Sequence, residues 1–191
     1  MKRPIMIFLF LFNCILGAQN TSIEKICVNN YFDFPENTYF SDIDNTFDPF
    51  VGTWKWTDGS QVLIIQLTKV SNYYVANDKL YKDFMVGDYK FSQDGGISFT
   101  TNTIVTPFNV NPDLHPMYGL CVEDDKLDFI FRDVAYNKKG CRAVFENLHT
   151  SPQTLRMILK NPQELMPRFE GQPPIPAGFS IPSDVILTKQ N

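Results

Sequence analysis

The sequence predicts an all-β domain, an antiparallel meander of about nine or ten strands curled into a barrel or half-barrel. Turn signals at Asp58-Gly59, Ser71-Asn72, Asn77-Asp78 and Asp94-Gly95-Gly96 cut the chain into apolar runs of strand length. Leu127 to Arg132 alternates, with Leu127, Phe129 and Phe131 on one face and Asp128, Ile130 and Arg132 on the other. Little helical periodicity is available to cover one face of a sheet, so the sheet must bury that face by curling on itself.

Residues 1–18 come first and read as a cleaved secretion signal. Met1, Lys2 and Arg3 give a basic start, and Ile5 to Leu16 run apolar except for Asn13. That run is too short for a membrane-spanning helix of about 20 residues. Gly17 and Ala18 supply small residues for cleavage after Ala18, although Leu16 departs from the small-x-small pattern. Cys14 follows Leu11, Phe12 and Asn13 rather than small residues, so lipidation there is not expected.

Residues 19–49 are a leader, polar and aperiodic apart from Ile26-Cys27-Val28 and Tyr31-Phe32. One helical turn is expected between Asn37 and Phe50, capped by Ser41 or Asp42. Residues 50–191 form the single β domain. Phe50 to Thr57 and Gln61 to Val70 make a hairpin across Asp58-Gly59. Tyr73 to Ala76 and Leu80 to Phe91 come next, with Gly87 as an expected bulge, then Ile97 to Thr101. A looser connection from Asn102 to Pro116 leads to Met117 to Val122, Leu127 to Arg132, Cys141 to Leu148 and the alternating Leu155, Met157 and Leu159. Six prolines and two glycines between Pro162 and Pro182 predict an extended surface loop, placed to cover a barrel mouth. Val185 to Lys189 closes the chain as a last strand.

Composition narrows the function classes. Loss of Lys2 and Arg3 takes the formal charge from −4 to −6, and no block of lysines or arginines remains. Such a surface repels phosphate backbones and anionic headgroups, which argues against nucleic-acid or membrane-surface binding. No second apolar run approaches the length of a span, so no transmembrane anchor is expected. Cys27, Cys121 and Cys141 survive cleavage, and Cys121 with Cys141 is the favoured disulfide because the two sit on neighbouring predicted strands.

Phe50-Val51-Gly52-Thr53-Trp54-Lys55 resembles the opening strand of the calycin barrels, the lipocalins and fatty-acid-binding proteins. The resemblance implies a lipocalin-like barrel. The whole chain, to its closing Pro182-Ser183-Asp184-Val185-Ile186-Leu187-Thr188-Lys189-Gln190, also resembles a family of small exported bacterial proteins of unknown function. Physically, Gly52, Trp54 and Trp56 share one face; the glycine permits a sharp bend and the Trp54 indole plugs a barrel end. In lipocalins an arginine from a late strand stacks on that tryptophan, which makes Arg156 the candidate partner, with Arg132 and Arg142 behind it. Trp56, one position further inward on the same face, is a candidate ligand contact.

Motifs for chemistry are sparse. There is no G-x-S-x-G, no phosphate-cradling or dinucleotide glycine pattern, and no zinc spacing around His115 or His149, so no cofactor or metal is expected. Both histidines read as solvated loop residues. Asp42, Asp44 and Asp48 read as turn chemistry, since Phe47 and Thr53 stand where a calcium loop needs Gly and Glu. Glu123, Asp124 and Asp125 read as a solvated hairpin tip.

The expected function is non-enzymatic: an exported barrel holding a small apolar or amphipathic ligand against Trp56, Phe129 and Phe131. Its alternatives are a filled barrel acting on a protein partner as an inhibitor or interaction module, and a hydrolase with scattered residues. N-terminal sequencing of the protein recovered from the exterior of expressing cells is expected to start at Gln19; a start at Met1 overturns the signal reading.

Overall fold

The computed structural model describes residues 22–27, 34–100, 115–161 and 177–190. The predicted signal, most of the 102–116 connection and residues 162–176 of the proline-rich loop lie outside the described residues. Eleven strands are present: β1 (Ile23–Lys25), β2 (Tyr39–Ser41), β3 (Gly52–Asp58), β4 (Gln61–Val75), β5 (Leu80–Gln93), β6 (Gly96–Thr100), β7 (Met117–Glu123), β8 (Lys126–Asp133), β9 (Lys138–Asn147), β10 (Thr154–Lys160) and β11 (Asp184–Gln190). No helix occurs among the described residues.

Eight of these strands close into an antiparallel barrel in the order β5-β4-β3-β11-β10-β9-β8-β7, and β7 returns to β5. This is the predicted meander, with β6 as a side hairpin on β5. The turns obey their residue types. Asp94 and Gly95 both take positive φ between β5 and β6, as do Asp124 and Asp125 between β7 and β8, the primed geometry that matches strand twist.

One edge of β5 is divided among three strands. Tyr81 and Lys82 pair in parallel with β2, Met85 to Gly87 pair with β7, and Lys90 to Gln93 pair with β6. Barrel closure therefore rests on three residue pairs, and two glycines stand there. A Cβ on Gly87 would lie 2.9 Å from Leu67 Cδ2 and 3.1 Å from Met117 Cβ, and one on Gly119 would lie 2.9 Å from the Asp128 carbonyl oxygen. The expected bulge at Gly87 is absent: it pairs regularly with Leu67 and Met117, and its missing side chain makes room for theirs. Register irregularities lie instead at Val70/Tyr73, which keeps β4 continuous through the expected Ser71-Asn72 turn, and at Phe91/Ser92, Gly119/Cys121 and Phe131/Asp133.

Inward-facing residues fill the barrel. Trp54, Leu63, Ile65, Phe129, Phe131, Phe145, Leu155 and Leu187 are at most 1% exposed and belong to one contiguous cluster. Trp54 is fully buried and donates from Nε1 to the Phe50 carbonyl at 2.8 Å. Its cation is not Arg156. Leu155 and Met157 face inward, so Arg156 between them faces out, where it grips Asp184 through Nε and Nη2 at 3.0 and 2.8 Å. Arg142 likewise pairs with Asp128. Lys189, in register with Trp54, lies over the indole at 5.3 Å. Gly52 takes φ +134°, and a Cβ there would meet Lys189 Cε at 3.0 Å, so the glycine admits the lysine stem that reaches Trp54.

The leader seals one end of the barrel by strand pairing rather than by the expected helical turn. β1 pairs in parallel with β2, and β2 with β5, which fixes residues 39–41 in extended backbone. Asp42 does act as a cap: Oδ1 accepts from the Thr46 amide and hydroxyl, both at 2.7 Å, and Oδ2 from the Phe47 amide and Lys69 Nζ. Buried Asp83 accepts from Tyr39 Oη and from the Asp42 and Asn72 amides, tying leader to barrel.

The disulfide joins Cys27 to Cys121, with Cα atoms 5.2 Å apart, not Cys121 to Cys141. Cys141 is a buried free thiol facing inward, and its burial raises the thiol pKa. Cys121, just past the β7 bulge, meets the leader instead.

The leader's attachment can be tested in two ways. The bridge closes 94 residues, so the C27S/C121S variant should lose about 4 kcal/mol in urea unfolding on loop entropy. In the intact protein Cys141 should react with a thiol reagent only after unfolding. For Asp42, burial pushes the carboxyl up, but hydrogen bonds from Lys69, Thr46 and Phe47 outweigh it and hold it below the usual range. A depressed carboxyl stabilises the fold above its unfolded pKa, and that contribution is lost as pH falls through the folded value. The urea midpoint should therefore drop between pH 7 and about pH 3, and Asp42→Asn should flatten that drop while costing about 1–3 kcal/mol near neutrality.

Candidate functional site

The three residues expected to line a ligand pocket separate. Phe129 and Phe131 point inward but are sealed in the core, Phe129 against Phe145 at 5.3 Å and Phe131 against Tyr89 at 5.7 Å. Trp56 is half-buried against the core near the opposite end of β3 from Gly52. It borders a shallow rim cleft of about 510 Å³ with Phe91, Phe179, Ile181 and Asp184.

That second barrel end is covered by residues 177–182, the described part of the proline-rich loop. Asp133, fully buried, accepts from the Ser180 amide at 2.6 Å and from the Ser180 hydroxyl. Lys138, in register with Asp133, donates to the Gly178 carbonyl at 3.1 Å and sits 4.5 Å from the Phe179 ring centre. Phe179 and Ile181 thereby pack on the interior. Tyr89 adds its hydroxyl, which accepts from the Val134 amide at 3.0 Å; burial pushes its pKa well up, so it stays a neutral phenol.

A larger opening lies outside the barrel. A cleft of about 770 Å³ runs between the β4–β5 hairpin and the outward face of β7, β8 and β9. Tyr73, Val75 and Asn77 form one wall; His115, Tyr118, Ile130, Arg132 and Lys139 form the other. Strand alternation produces this wall. With Leu127, Phe129 and Phe131 committed inward, Ile130 and Arg132 must face out, and Ile130 remains 63% exposed. Behind the wall Phe84 stacks between Tyr73 and Tyr118, with ring centres 5.2 and 5.0 Å away. This small outer cluster, completed by Val70 and Val86, holds both tyrosines in place.

Polar groups in the cleft are only partly matched. His115 is buried, not solvated, and its Nδ1 lies 3.0 Å from Asp88 Oδ2. A carboxylate only accepts, so Nδ1 carries a proton and donates it. Asp88 Oδ1 and Arg132 Nε are buried without a hydrogen-bond partner among the described residues. A buried donor left unmatched costs about 1–3 kcal/mol. His149, by contrast, is exposed beside Asp125 at the hairpin tip, as expected.

Among the described residues no three His, Cys, Asp or Glu side chains converge as metal ligands. No hydroxyl or thiol among them is hydrogen-bonded to His115. The cleft combines aromatic rings, an exposed aliphatic side chain and cations.

A family model described as a family of unknown function, DUF6705, matches residues 1–190. The chain belongs to DUF6705. No curated protein and no solved structure matches this DUF6705 chain. The DUF6705 barrel is thus described by its own geometry: eight closed strands and three accessory ones.

Proposed function

We propose that this protein is an exported binding protein that works through the outer cleft, not through the barrel lumen. The observation that carries this reading is the contrast between the two faces of β8. Its inward residues Phe129 and Phe131 are 1% and 0% exposed, whereas Ile130 is 63% exposed and lines, with Arg132, an open cleft of ligand-site size that Phe131 also borders. Both barrel ends are stoppered, one by Trp54 and the leader, the other by Phe179 and Ile181. The interior of the barrel is taken up by side chains.

Export rests on the basic-apolar-small order of residues 1–18 and gains support from the Cys27–Cys121 disulfide, which suits an oxidising compartment. The family match reaches residue 1 and so includes the apolar segment.

Native mass spectrometry of the protein expressed with its own leader in its own host tests the reading. A small-molecule adduct is expected on the wild type and on Phe129→Leu, and its loss is expected on Ile130→Glu. An adduct that survives Ile130→Glu and disappears with Phe129→Leu, or an adduct-free wild type, overturns it.

A further inference from the structure

We infer that the cleft takes a small ring-bearing carboxylate, its acid group held by Arg132 with Lys139 beside it. This rests on the cleft as the binding site and adds the ligand's chemistry to it. The first support is the state of the cations. Of the three arginines among the described residues, Arg142 and Arg156 each hold an aspartate, Asp128 and Asp184. Arg132 holds no carboxylate among the described residues, and its Nε is buried without a partner while the side chain lines the cleft. A guanidinium presents its donors as a planar fork that matches a carboxylate's two oxygens. Lys139, on the same wall and likewise without an ion-pair partner among the described residues, adds a second positive charge.

The second support is independent of charge. Tyr73 and Tyr118 both line the cleft and are braced through Phe84, and Ile130 presents its side chain to the same space. Flat, rigid aromatic surface next to an aliphatic wall favours a ring over a flexible chain, because stacking requires no ordering of the host. Among the described residues the nearby carboxylates are engaged, Asp88 with His115 and Asp78, next to Asn77, with Lys82, which shields the cleft from part of their charge. A ligand with two or more negative charges would meet Asp88 with repulsion that a single carboxylate largely avoids.

The test compares two molecules of one shape and different charge. Isothermal titration calorimetry of the full protein with indole-3-acetate and with indole-3-acetamide should show the acid binding about tenfold more tightly or better, the worth of a charge-assisted pair. Arg132→Gln should bring the acid down to the amide's affinity, Arg132→Lys should retain part of the difference, and Arg156→Gln, which alters an ion pair elsewhere, should change neither. Thermal melting checks that each variant is folded. Equal binding of acid and amide by the wild type overturns the carboxylate assignment and leaves the cleft standing. Equal preference in the wild type and Arg132→Gln overturns the role of Arg132. If neither compound binds, the ligand class falls, and the adduct experiment on Ile130→Glu decides the cleft separately.

Discussion

The short seam between β5 and β7 is the constraint on which the rest of the molecule depends. Three residue pairs, Met85 with Gly119, Val86 with Tyr118 and Gly87 with Met117, turn a curled sheet into a closed barrel. At full length such a seam would leave no room for β2 and β6, which use the remainder of the same β5 edge. Gly87 and Gly119 allow the close approach, and the Cys27–Cys121 bridge lies just beyond it. The outer cluster that supports the cleft also begins here, since Val86 and Tyr118 are seam residues facing outward.

Closure has a second effect on the distribution of polar groups. A barrel satisfies its backbone internally, so the loops crossing its ends must find acceptors elsewhere. Three buried aspartates supply them: Asp42 and Asp83 at the leader end, Asp133 at the other. Each accepts from backbone amides and holds a segment with no regular ladder of its own. The plugging of both ends is a result, and the cleft on the outer wall stays open.

Much of the fold was legible because its signals are local. Turn dipeptides and period-2 alternation mark the strands. Features set by contacts distant in sequence were not legible. Cys27 sits in a polar, aperiodic leader, and nothing near it points to β7. Arg156 was a reasonable partner for Trp54 by chain position, but Leu155 and Met157 claim the inward face, and Lys189 stands in register instead. His115 reads as a loop residue because prolines surround it; its burial depends on Asp88, on another strand. The cleft wall was half visible, since the alternation that sends Phe129 and Phe131 inward also sends Ile130 and Arg132 out. What was missing was the β4–β5 hairpin opposite, which continues through Ser71-Asn72 instead of turning there.

The pairing of β3 with β11 bears on when the protein can fold. Thr53 meets Gln190 and Lys55 meets Thr188, so the first barrel strand has no partner on that side until nearly the whole chain has been made. Contacts this distant in sequence form slowly, and synthesis at about 5–20 residues per second delays them further. A ribosome-bound chain would therefore hold an open, incomplete meander through most of its synthesis. Under the proposed export, in which the chain crosses a translocation pore unfolded, this strand order would keep the barrel from closing too early.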